Sequence, residues 1–89
     1  NNVLVIPVGL AFDLAYKEDP SIELHKPDGT HPNLLGTYLA SCTVFASIYR
    51  KSPIDLEYDY FGSISNKDKV FLQRIAHEAT SDYLNLLLE

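Results

Sequence analysis

The chain has 89 residues, 46% apolar and 21% charged, which is room for one small globular domain with a thin stability margin. Seven Lys and Arg against twelve Asp and Glu give a net charge of −5, which argues against a nucleic-acid binder built on clustered cations. One cysteine, Cys42, excludes an internal disulfide framework and a Cys-rich zinc site, and no apolar run reaches the roughly 18–20 residues that cross a bilayer.

In chain order, Val3-Leu4-Val5-Ile6 is β-branched and wholly apolar, the pattern of a strand buried on both faces of a parallel sheet, and Pro7 ends it. From Gly9, the residues Leu10, Ala11, Phe12, Leu14 and Ala15 predict a short helix that Asp19-Pro20 stops. Ser21 to Lys26 reads as extended, with Ile22 and Leu24 on one side and Glu23 and His25 on the other. Pro27-Asp28-Gly29 is a turn. Asn33 is a favoured N-cap for a second helix whose apolar positions, Leu34, Leu35, Tyr38, Leu39, Cys42, Phe45, Ile48 and Tyr49, recur at three and four. Arg50 and Lys51 suit its C-terminal end and Ser52-Pro53 terminates it. Residues 54–61 alternate apolar and acidic side chains, a surface loop in preference to a charged edge strand. Ser65 with Asp68 three positions on opens a last helix with Phe71, Leu72, Ile75, Ala76, Ala79, Tyr83, Leu86 and Leu87 on one face. No partner strand for the first run is visible, and the sequence contains no Met, so the chain is expected to be trimmed, processed or cut from something larger.

Asp28-Gly29-Thr30-His31-Pro32-Asn33 is the segment that carries chemistry. An Asp three residues before a His on a tight turn can set its carboxylate against Nδ1, fixing the tautomer and freeing Nε2 to take a proton from a nucleophile. Taken alone, that spacing is weak, occurs often by chance, and more often marks a plain turn with a surface histidine.

The stretches Val5 to Ala11, Pro27 to Asn33, Gly36-Thr37-Tyr38-Leu39-Ala40 and Lys51-Ser52-Pro53 together resemble the C-terminal part of the SGNH (GDSL-type) serine hydrolases. The resemblance covers Val3 to Pro53 and, more loosely, Phe71 to Tyr83. It implies an α/β fold: residues 1–89 as the incomplete C-terminal piece of a flavodoxin-like three-layer sandwich, itself mostly helical with one parallel-type strand. It also implies that His31 is the general base and Asp28 the carboxylate that orients it, in cleavage of an ester by a serine. No Gly-Asp-Ser block is present, nor are the Gly and Asn blocks of an oxyanion hole, so the chain is expected to be inactive alone. The implied partners are the remainder of a parent hydrolase domain and an ester substrate, with a homo-oligomer for the isolated chain and no nucleic acid or membrane span. No cofactor or metal is called for. Family members are often exported, with any targeting segment expected before Asn1.

Other candidates carry less. Ser63 in Gly62-Ser63-Ile64-Ser65 lacks the second glycine of a nucleophile elbow. His25, Asp28 and His31 make a poor metal set without a fourth ligand. His77 reads as solvated beside Glu78, Cys42 as a small core residue, and Tyr58, Tyr60 and Phe61 as a stabilising contact under a loop in preference to the lining of an acyl or sugar site in a parent enzyme. The competing reading is a small, mostly helical interaction module in which the Asp28–His31 turn is structural.

Overall fold

The computed structural model describes residues 6–85 together with residue 88. It consists of three α-helices, α1 (Val8–Glu18), α2 (Leu34–Tyr49) and α3 (Asn66–Leu84), with no strand among the described residues. The expected α/β class, a flavodoxin-like sandwich piece with one parallel-type strand, is therefore corrected to an all-helical arrangement. Residues 3–5 of the predicted strand lie outside the described residues, and Ile6, the last of that run, is not in a strand. The physical reason is pairing. A strand requires a neighbour for its backbone groups, whereas the apolar positions of these segments recur at three and four and bury helix against helix.

Each helix starts and stops for a local reason. Pro7 precedes α1, where its missing N–H and fixed φ cost nothing. The Asn33 side chain accepts from Gly36 N–H at 2.9 Å to cap α2, and the Ser65 hydroxyl accepts from Asp68 N–H at 3.2 Å to cap α3. Arg50 and Asn85, both left-handed, close the C-terminal ends of α2 and α3. Thus α2 stops at Tyr49, ahead of the Ser52-Pro53 stop, because Arg50 turns the backbone.

The core is formed by Ala11 and Ala15 of α1, Tyr38, Leu39 and Cys42 of α2, and Leu72, Ile75, Ala76 and Ala79 of α3. Two loop residues, Leu24 and Ile64, plug it from the connections. The α2–α3 contact is the most extensive. Buried Thr43 and Ser47 return their hydroxyls to the carbonyls four residues back, at 2.8 and 2.7 Å, so no polar partner is needed from elsewhere. Gln73 of α3, 2% exposed, binds the 50–65 connection: its Nε2 donates to Leu56 O at 2.7 Å and to Tyr38 Oη at 2.9 Å, and its Oε1 accepts from Asp55 N–H at 3.1 Å. The Tyr38 hydroxyl donates onward to Tyr58 O at 2.7 Å. Burial pushes the Tyr38 hydroxyl up to about 12.

One close approach sets the geometry of everything between α1 and α2. A Cβ on Gly36 would collide with the backbone carbonyl oxygen of Leu24 and press on Pro32. That oxygen also accepts from Asn33 N–H at 2.9 Å. Gly36→Ala should therefore lower stability by about 1–2 kcal/mol net, the steric cost outweighing the ~1 kcal/mol that Ala ordinarily gains inside a helix. Urea unfolding followed by circular dichroism measures it, and a raised midpoint would show that the Leu24 carbonyl yields freely.

Candidate functional site

The connection from Asp19 to Asn33 folds back on itself before α2. His25 and Pro32 form an isolated antiparallel bridge, and Lys26 N–H donates to His31 O at 2.7 Å. Gly29, at φ 73°, makes the reversal between them and donates its N–H to Lys26 O at 2.8 Å. The Asn33 Nδ2 donates to Glu23 O at 2.7 Å, so the residue that caps α2 also fastens the base of this turn.

At the tip, Asp28 Oδ2 lies 2.7 Å from His31 Nδ1. Its other oxygen accepts from Thr30 N–H at 2.9 Å and His31 N–H at 3.1 Å. An ionised carboxylate has only acceptors, so Nδ1 carries a proton, and in the neutral form of the ring Nε2 then keeps its lone pair free. The two predicted site residues are thus brought together in the predicted sense. The Asp28 side chain is 49% exposed and that of His31 71%, so water still reaches the pair and screens it. No hydroxyl of the described residues hydrogen-bonds His31 Nε2. The arrangement is an imidazole oriented by a carboxylate and open to solvent.

The remaining candidates sort by their partners. His25 does not face outward. It stacks on Tyr16 with ring centroids 5.8 Å apart and meets Phe12 edge-on at 5.3 Å, with the Tyr16 hydroxyl 2.7 Å from Nδ1. No group of three or more His, Cys, Asp or Glu side chains converges to hold a metal ion among the described residues. Cys42 is buried and its thiol is pushed up to about 11 by desolvation, which suits a core residue. Ser63 is exposed on a turn and hydrogen-bonds to no histidine among the described residues. No helix among the described residues is long and apolar enough to cross a membrane.

Sequence reasoning missed a serine–histidine contact. Ser52 Oγ lies 2.8 Å from His77 Nδ1, so His77 is half-buried and not merely solvated. The same oxygen accepts from Ile54 N–H at 3.1 Å. No carboxylate among the described residues orients the far nitrogen of His77, and the contact serves to tie the start of the loop to α3. Its span of 25 residues explains why no local pattern revealed it. A cleft of about 410 Å³ also opens between α1 and Pro32, walled by Val8, Phe12, Tyr16 and His25 with Asp13 on its lining.

Compared with protein-family models, curated proteins and solved structures, the chain matches none.

The Asp28 carboxyl is held below its ordinary value of 3.8, first by the His31 ring N–H and then by the Thr30 and His31 backbone N–H groups. A carboxyl depressed in the folded state contributes stability above its unfolded value and loses it as pH falls through the folded one. Carbon NMR of the Asp28 side chain should therefore give a midpoint under 3.8 that rises towards 3.8 in His31→Ala. A midpoint at or above 3.8 in the unsubstituted chain would show that the contact does not persist in solution.

Proposed function

We propose that this chain supplies the acid–base half of a serine ester hydrolase, with His31 as general base, Asp28 as its orienting carboxylate, and the serine contributed by polypeptide outside this chain. The observation that carries the reading is the Asp28 Oδ2 to His31 Nδ1 contact of 2.7 Å, which leaves Nε2 unengaged by hydroxyls of the described residues. The likeness of the Asp28-Gly29-Thr30-His31-Pro32 block to the SGNH hydrolases agrees with it.

In the reaction, Nε2 takes the proton of an incoming serine as its oxygen attacks the ester carbonyl, and the Asp28 carboxylate stabilises the imidazolium that results. The imidazolium returns that proton to the leaving alcohol. Water then repeats the sequence on the acyl-serine, giving up a proton to Nε2 and releasing the carboxylic acid and the free serine. The exposure of His31 is consistent with this division of labour. A base left in water gains little from its partner, and the pair becomes effective once the serine-bearing segment and substrate cover it.

The test is made on the full gene product with an activated ester and a serine-directed phosphonate. His31→Ala should reduce kcat by about 10⁶-fold and Asp28→Asn by about 10⁴-fold, with KM little changed. Turnover within a few-fold of the unsubstituted protein in both variants would assign the turn a purely structural role.

A further inference from the structure

The sixteen residues of α2, Leu34–Tyr49, include no charged side chain, although the chain carries a net charge of −5. A helix that is uncharged all round is ordinarily enclosed on all sides. Here α1 and α3 cover one side, through Tyr38, Leu39, Cys42 and Ala46, while on the other Ile48 is 50% and Tyr49 64% exposed. That open side is a groove of about 490 Å³, and its side chains are graded by size. Thr37, Ala40, Ser41 and Val44 in the N-terminal half are small, and Phe45, Ile48 and Tyr49 in the C-terminal half are large.

We infer that this face of α2 is a self-association surface that pairs with the α2 of a second copy of the chain, antiparallel, about a two-fold axis near Val44. The size gradient makes the surface self-complementary in that orientation alone: the large half of each helix meets the small half of the other, with Ile48 of one copy against Ala40 of the second. A parallel pair would set bulk against bulk and leave a gap at the other end. Charge agrees with the same orientation. Exposed Arg50 and Lys51 directly follow the large half, whereas exposed Glu23 and Asp28 outnumber Lys26 around the turn that precedes the small half. Antiparallel pairing puts each cationic end beside an anionic one and opposes the helix dipoles. It also lets two acidic chains approach through a face that brings no carboxylates together. A single helix pair about 24 Å long lies at the small end of specific interfaces, so the dimer forms reversibly in the range of about 10 µM to 1 mM.

Sedimentation equilibrium on the full 89-residue chain across that range should show monomer giving way to dimer. Val44→Lys, which opposes like charges at the axis, should weaken association about a hundredfold with an unchanged helical circular dichroism spectrum. As a check independent of that variant's folding, Ala40→Cys mixed with Ile48→Cys under mild oxidation should give a disulfide-linked dimer, and neither alone should do so. A chain that stays monomeric to about 1 mM, or one that captures a different polypeptide on this face in preference to itself, overturns the inference. So does a dimer indifferent to Val44→Lys, or cross-linking by either cysteine variant on its own.

Discussion

The turn that bears Asp28 and His31 depends on a contact between the backbone of Leu24 and the first turn of α2. The Leu24 side chain is fully buried, and its carbonyl oxygen occupies the space a Cβ would need at position 36. Only glycine there lets the connection lie flat on the helix. The same oxygen receives the Asn33 N–H, while the Asn33 side chain reaches both the helix and Glu23. Position 33 therefore caps α2 and closes the turn at once, so the orientation of the dyad is inherited from a helix start. Residues with no chemistry of their own, Leu24, Asn33 and Gly36, decide where the chemical ones point.

Orientation and reactivity are separated in this arrangement. The carboxylate sits within three residues of the imidazole and also holds two backbone N–H groups, so the tip of the turn is ordered locally once Leu24 and Asn33 have anchored its base. What the turn does not provide is a dry environment. Electrostatic contacts gain strength when water is excluded, and both side chains are well exposed. An oriented but solvated imidazole of this kind would be strengthened as a base only if a second surface closed over it. The uncharged helix α2 begins three residues beyond His31, at Leu34.

How much was legible follows from the range of each interaction. The Asn33 and Ser65 caps, the left-handed reversal at Gly29 and the Asp28–His31 contact each join residues three apart or fewer, and the sequence displays them. The partners of His25 and His77 lie 9 and 25 residues away, and their surroundings belong to packing that no local pattern encodes. The α/β expectation rested on a four-residue apolar run, Val3–Ile6, too short to have a period that tells strand from helix; of that run only Ile6 is described, and it is not in a strand. In α2 the spacing located the helix but not its solvent side: without a charge along its length, the stripe could not show that Ile48 and Tyr49 lie outside the core while Ala46 and Ser47 lie within.

The loop between α2 and α3 carries three successive left-handed residues, Tyr60, Phe61 and Gly62, at φ 55°, 60° and 81°. For the two aromatic ones this conformation costs on the order of 1–2 kcal/mol each, and Phe61 gains no burial in return, being 95% exposed. Such a tip is what an endopeptidase selective for aromatic side chains recognises: an accessible ring on a raised segment that relaxes when cut. Scission there would release the strain while Leu72, Ile75 and Ala76 still grip α2, so that the two pieces remain associated as a nicked complex with the dyad turn wholly on the first.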